Sequence, residues 1–318
     1  MTVQFNHKSL PIIRSSNIES IFLSSFDRFT FFQLWVIGNT MEKNTDWNAL
    51  WKELVELRSI DRQKRRESGE GNDPWTNMAR QFHEGVRERW QQDDSSREFI
   101  LSRIDAGSSF LDIGAGTGAW SLLLAQHVRS VTAVDPSESM LSVLRENLAV
   151  ENADNVSIIQ GAWPDVDVEP HDFSLCSHAM YGCPDLVSFI RGMEKHTRKT
   201  CFLLLRAAAC DCIQAEAARH LWGHPFDSPN FAIAYNVLIQ MGVYANVLME
   251  NTGYWKPHVS ANIEVALKRL KRDLYLADDD EHDEFLLGLL GRRLSWQEGG
   301  YVWPREVCSA LVYWESRQ

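Results

Sequence analysis

A chain of 318 residues is long enough to bury one large core, or one core with a small accessory region. With 44% hydrophobic and 24% charged residues it has an ordinary globular composition, and a net charge of −11 disfavours nucleic acid and anionic membrane, since both demand Lys and Arg. Six cysteines without paired CxxC spacing fit a reducing compartment and no metal set, and no apolar run approaches the roughly 18 residues of a spanning helix, so the expected location is the cytoplasm.

Residues 1–40 show no sustained period and are expected to form a weakly ordered extension. Residues 41–104 read as an N-terminal helical cap and 105–318 as the core. From Asp46 onward Trp47, Leu50, Trp51, Leu54 and Leu57 recur at the spacing of an amphipathic helix. The basic cluster 58–66, interleaved with Asp61 and Gln63, reads as a solvated helix face. Residues 67–73, with two glycines and Pro74 behind them, read as a linker. A second helix is expected over 75–90, carrying Met78, Phe82, Val86 and Trp90 on one face, and a third over 95–104.

Short apolar runs then alternate with helical patterns, as in parallel βαβ units. Strands are expected at Ser109–Ile113, Ser130–Asp135, Val156–Gln160, 173–177 and 200–206, with helices at 118–128, 138–150 and 185–196 between them. Beyond Arg206 the rhythm loosens. A sixth strand is expected at 243–249, after Gly242, and a seventh at Val307–Glu315. Between these two lies an insertion with helices near 261–274 and 284–293; its acidic run 278–284 suits a helix N-terminus better than a cation. The expected fold is α/β: a doubly wound, mostly parallel seven-stranded sheet with N-terminal helices and helical insertions.

Four stretches at strand ends carry chemistry. The first, 110–119 (FLDIGAGTGA), ends a buried strand in a glycine-rich turn that opens a helix, where Gly114, Gly116 and Gly118 let backbone amides approach a ligand. It also matches GxGxxA, the dinucleotide fingerprint, through Gly114, Gly116 and Ala119. Asp112 separates the two readings. A carboxylate two residues before the first glycine would repel a pyrophosphate, whereas it suits a ligand bearing an amine and a sulfonium, as S-adenosylmethionine does. The second stretch ends at Asp135, 17 residues after Gly118, where an acid can accept both ribose hydroxyls, a feature shared with NAD enzymes. The third is 160–164 (QGAWP), where an adenine edge could meet backbone amides and Trp163 either stack on the ring or pack inward. The fourth is 172–181 (DFSLCSHAMY), whose tip opens towards the transferred group.

On these four motifs the chain resembles the class I S-adenosylmethionine-dependent methyltransferases, nearest the small-molecule group that includes quinone-ring methyltransferases. The resemblance covers about residues 75–206, with the C-terminal strands matched loosely. It implies a Rossmann-like methyltransferase core in which Asp112, Gly114, Gly116 and Gly118 hold the methionine part. Asp135 then holds the ribose, with Pro136 beside it; Met140, Ala162 and Trp163 meet the adenine, and Ser177 lies beneath the sulfonium. Ala162 departs from the family, which often has an acid there, and the Asn-Pro-Pro-Tyr motif of base-amino methyltransferases is absent. Candidate general bases are His178 and Tyr181, with His220 and His224 further on; each histidine has a structural reading beside the catalytic one. Regions 207–241 and 256–300 are expected to build the acceptor pocket, with Trp222 and His224 on its wall, or else an oligomer interface. Arg206 either orients an anionic acceptor or pairs with a core carboxylate. Trp75, Arg80 and Phe82 are candidate contacts on a helix covering the cofactor. The expected partner is a small molecule; an RNA or protein acceptor, and cofactor binding without catalysis, are the competing readings.

Overall fold

The computed structural model describes residues 45–67, 73–250, 257–276, 279–297 and 299–317. The chain divides after Asp46 into two units, and the described helices and strands all belong to the second, Trp47–Gln318. The extension expected at 1–40, residues 68–72 of the linker and Asp278 of the acidic run lie outside the described residues.

Among the described residues three helices lead in: α1 (Trp47–Glu67), α2 (Ala79–Trp90) and α3 (Ser95–Leu101). The core then alternates strand and helix through β1 (Ser109–Ile113), α4 (Ala119–Ala125), β2 (Ser130–Asp135), α5 (Glu138–Glu151) and β3 (Val156–Gln160). It continues through β4 (His171–Ser177), α6 (Leu186–Lys195) and β5 (Thr197–Ala208). Next come α7 (Ile213–Trp222), α8 (Phe231–Gln240), β6 (Asn246–Met249), β7 (Val259–Ser260), α9 (Ile263–Asp273) and α10 (Asp283–Arg293). The last strands are β8 (Ser295–Gln297), β9 (Gly300–Val302) and β10 (Val307–Glu315).

Seven strands form one sheet in the order β3-β2-β1-β4-β5-β10-β6. The pairs from β3 to β5 are parallel, and β10 runs antiparallel between β5 and β6. Alternation along β5 shows why both faces are covered. Cys201, Leu203 and Leu205 point into the cluster with Trp51 and Leu54 of α1, Ile190 of α6 and Val237 of α8. Phe202 and Leu204 point the other way, to Ile100 of α3 and Leu124 of α4. Phe202 also lies in a stacked trio with Phe110 and Phe173, centroids 6.0–6.4 Å apart, which pins the register of three adjacent strands. A strand buried on both faces must be apolar at successive positions, and these are.

The seven-stranded, mostly parallel sheet matches the expected architecture. Some element bounds differ. Helix α2 starts at Ala79 rather than 75, because residues 74–78 form a turn whose start at Trp75 is tied to Asp73. β4 and β5 extend beyond 173–177 and 200–206, and β6 begins only at Asn246. Helices α7 and α8 and a three-stranded antiparallel sheet, β7-β9-β8, were not foreseen. α7, α9 and α10 share a separate hydrophobic cluster with Trp303, built on Ile213, Ala217, Leu270 and Leu290. The acidic run supplies Asp283 and Glu284 to the first turn of α10, and Asp283 also pairs with buried Lys271.

Candidate active site

The strand ends of β1, β2 and β4 meet at the carboxyl edge of the sheet, where open α/β folds take their ligands. After Ile113 the chain turns under β2, with the amides of Gly114 and Ala115 donating to the carbonyl of Val134 at 2.7 and 3.0 Å. Gly114 has φ +73°, and a Cβ there would stand 2.1 Å from the Cβ of Ala179, so the β4 loop and the glycine loop are packed backbone to side chain. Gly116 has φ +56°, yet a Cβ there would meet nothing within 4 Å. The turn therefore opens onto free space at Gly116 and is closed at Gly114. Gly118 caps α4.

Asp135, at the tip of β2, gathers this loop. Its Oδ2 accepts from the Gly116 amide and its Oδ1 from the Ser137 amide, both at 2.9 Å. Each oxygen retains acceptor capacity for a further donor, such as one hydroxyl of a ribose diol. Burial pushes its carboxyl above the usual range, the Ser137 and Gly116 amides pull it back, and the neighbouring Asp73 charge raises it again.

Asp112 is placed differently from its expected role. It is 1% exposed, and it faces α4, where Ser121 Oγ donates to its Oδ2 at 2.6 Å. It lies under the loop rather than open to a ligand beside it. Burial pushes its carboxyl up to about 7, against the pull of the Ser121 hydroxyl and with a further push from Asp135.

A correction concerns Trp163. The indole is 8% exposed and points into the core, its N–H donating to the Phe189 carbonyl at 3.1 Å, with the Phe189 and His196 rings edge-on to it. It is not available to stack on an adenine. Ala162 and Pro136 are exposed, Ser177 is half-buried, and Met140 is buried beside Trp75, Ala79 and Val143.

A second group lies at the tips of β4, β5 and β10. His178 has φ +54°, a strained setting for a residue with a Cβ. Its Nδ1 is 3.1 Å from Tyr181 Oη and its Nε2 3.2 Å from Ser309 Oγ. Tyr181 Oη also accepts from the Arg206 amide at 2.5 Å, and its ring stacks on Trp51. Burial, with a lesser effect from the Arg89 charge, pushes the His178 imidazole down to about 4, so it is neutral at physiological pH. Arg206 pairs with buried Asp227 at 3.1 Å and donates to Ser228 Oγ at 2.8 Å, which is the core-carboxylate alternative. His224 is not brought to this group by any contact: its Nε2 pairs with Glu53 of α1 at 3.2 Å. Trp222 packs into the α7–α9–α10 cluster and His220 stacks on Phe285, so neither joins the His178 group. Regions 207–241 and 256–300 thus form no single wall, since α8 packs in the main core and α7 in the insertion.

The segment 73–90 packs against the glycine loop and the start of α5. His83 Nδ1 lies 3.2 Å from Thr117 Oγ1 in the glycine loop, and Trp75 packs on Met140. Arg80 instead pairs with Glu146 on the surface, and Phe82 meets Trp75 edge-on. Sequence reading missed Asp73, whose carboxylate accepts from Ser137 Oγ and the Ser139 amide. The one signal for it was an acid immediately before Pro74.

A family model described as a methyltransferase domain matches residues 110–200, the stretch that holds the glycine loop, Asp135 and His178. The chain carries a methyltransferase domain. The demethylmenaquinone methyltransferase of Shouchella clausii is 34% identical over 111 residues, covering 32% of this chain and 47% of that protein. The ribosomal protein L11 methyltransferase of Acetivibrio thermocellus is 36% identical over 67 residues, 21% of each. The chain thus spans about half the length, or less, of the curated relatives it matches. Among solved structures, the YcgJ protein of Bacillus subtilis aligns with a TM-score of 0.49 at 18% identity, over 70% of this chain and 98% of that one. The methyltransferase domain begins within β1 and ends within β5, so the N-terminal helices, the insertion and β10 lie outside the matched region.

Proposed function

We propose that this chain transfers the methyl group of S-adenosylmethionine to a small-molecule acceptor in the cytoplasm. The observation that carries the reading is Asp135: a carboxylate at the β2 tip, each oxygen fixed by one backbone amide, beside a glycine turn open at Gly116. That pairing fits a ribose diol next to a chain that must approach backbone closely, and among the described residues no side chain fills the space at Gly116. In this reading Gly114–Gly116 lie along the methionine part, Ala162 and Met140 flank the adenine side, and Ser177 lies below the sulfonium. Asp112 supports the loop from beneath through Ser121. The matched methyltransferase domain and the relatives named demethylmenaquinone methyltransferase support both the cofactor and a small acceptor. Among the described residues no helix is long and apolar enough to cross a membrane.

The cofactor when bound supplies an electrophilic methyl for in-line displacement, a reaction that gains chiefly from alignment of its partners. The chain's part is to align the acceptor. His178 and Tyr181 hold one another at the β4 tip, and the Arg206 amide and Ser309 fix the outer ends of that pair. Both imidazole nitrogens are engaged, so His178 acts on an acceptor proton through the Tyr181 hydroxyl. We assign residues 41–104 to the cap and 105–318 to the core, with the acceptor pocket shared between the β4 tip and the loop after α7. S-adenosylhomocysteine should raise the melting temperature, as any ligand of the folded state alone does, whereas NADH should not. Asp135→Ala should cut that affinity by roughly 1–3 kcal/mol with the fold intact. A shift with NADH and none with S-adenosylhomocysteine sinks the reading.

A further inference from the structure

We propose that Asp73 is a positioning residue of the cofactor site: through Ser137 it holds Asp135 in the orientation that accepts the ribose hydroxyls. The inference rests on the S-adenosylmethionine reading and deepens it.

Asp73 precedes α2 in sequence by six residues, and it reaches the β2–α5 loop 64 residues further on. Its Oδ1 accepts from the amide of Trp75 at 3.0 Å, a local turn bond. That bond alone would satisfy a turn aspartate. Three further contacts go elsewhere: Ser137 Oγ is 3.0 and 2.8 Å from the two carboxylate oxygens, and the Ser139 amide donates to Oδ2 at 3.0 Å. Ser137 is the joint. Its backbone amide donates to Asp135 Oδ1, its hydroxyl donates to Asp73, and the same hydroxyl accepts from the Met140 amide as the N-cap of α5. One serine is therefore held from opposite ends by two aspartates, and Asp135 cannot turn about its side-chain bonds without disturbing that link. Trp75 on Met140 and His83 on Thr117 carry the same segment across both cofactor loops.

Two mechanisms predict opposite signs, which makes the inference testable. As a charge, Asp73 opposes the ionised form of Asp135, so its removal would strengthen ribose binding by field alone. As a positioning group its removal frees Ser137 and weakens ribose binding. The amides of Trp75 and Ser139 and the Ser137 hydroxyl outweigh burial and keep the Asp73 carboxyl below the usual range, so it is ionised and acts as a full acceptor at neutral pH.

The experiment is calorimetric titration of the full chain with S-adenosylhomocysteine and with its 2′-deoxy counterpart, for wild type, Asp73→Ala and Asp73→Asn. Failure of wild type to bind S-adenosylhomocysteine would remove the cofactor reading itself. Given wild-type binding, Asp73→Ala should lose about tenfold for S-adenosylhomocysteine and only about threefold for the 2′-deoxy ligand, which keeps one hydroxyl for Asp135. Asp73→Asn keeps a carbonyl acceptor and should fall between wild type and Asp73→Ala. The contrast between ligands within one variant stands even if Asp73→Ala lowers overall stability, because a loss of fold weakens both alike. Equal losses for the two ligands, or tighter binding by Asp73→Ala, overturn the proposal.

Discussion

Two aspartates on adjacent strands show how environment divides the labour of one motif. Asp135 keeps acceptor capacity on each oxygen, whereas Asp112 is sealed under the loop with Ser121. The groups facing Asp112 are Asp135 from β2, which raises its carboxyl, and Cys176 from β4, whose thiol burial and the Asp112 charge push up to a pKa above the physiological range. With its pKa moved from 3.8 to about 7, Asp112 holds its proton in the folded protein where the unfolded chain has lost it. The native state then binds more protons between those values, so stability is full below pH 4 and falls as pH rises to about 7. The loss from this one group is on the order of 2–4 kcal/mol. Asp112→Asn keeps an acceptor for Ser121 and has no proton to lose. Urea unfolding at pH 4.5 and pH 8 should therefore show wild type losing more stability than Asp112→Asn over that interval. A difference between the two proteins that does not change with pH would mean that Asp112 is ionised throughout.

At the scale of elements, the glycine turn separates packing from ligand approach. Gly114→Ala must push Ala179 and the β4 loop aside, and it should lower the melting temperature and disturb His178. Gly116→Ala meets open space, so its cost is the positive φ, about 1–2 kcal/mol, and the fold should survive. Its methyl stands on the side offered to a ligand, so S-adenosylhomocysteine affinity should fall well beyond what the strain explains. Thermal melts with and without the ligand check both, and a Gly116→Ala protein with wild-type affinity would place the ligand elsewhere. The bounds of β1, β2, β3 and β10 were legible because each is a short apolar run ended by turn residues. Helices α7 and α8 were not. In α7 the buried positions are largely alanines, and α8 is apolar nearly all round, so neither shows the contrast on which a helical period depends. Strands of two or three residues, as in β7, β8 and β9, are too short for a period of two to register. Within the site, the glycines and Asp135 were legible because they sit at fixed offsets from a strand end. The inward turn of Trp163 and the reach of Asp73 depend on partners 26 and 64 residues away, which local pattern does not contain.

At the scale of the whole molecule, a charged knot ties the insertion to α7 and to the start of β10, beside the apolar cluster that α7 shares with α9 and α10. Arg293, the last residue of α10, pairs with Glu216 of α7 at 2.6 Å and with Glu306 just ahead of β10, and it donates to the Asp211 carbonyl. Glu306 in turn accepts from the Ile213 amide at 2.8 Å, so one glutamate caps α7 and anchors α10 at the point where the chain enters the central sheet. Burial raises the Glu306 carboxyl against the pull of the Ile213 amide and Arg293, and removing the arginine would leave a half-buried acid without its cation. Arg293→Met keeps most of the apolar stem and deletes the charge. It should destabilise the protein by about 1–3 kcal/mol, less than a fully buried pair would, because the guanidinium is a quarter exposed. The proposed cofactor residues lie on β1, β2 and their loops, apart from this knot, so S-adenosylhomocysteine affinity should stay within about twofold of wild type. Raising the pH should not restore the variant, whereas lowering it through the Glu306 range should, since a protonated Glu306 no longer needs a cation. If Arg293→Met instead loses cofactor affinity in step with stability, the insertion and the glycine-loop side of the sheet unfold as one unit, and the separation of the insertion from the proposed cofactor site must be given up.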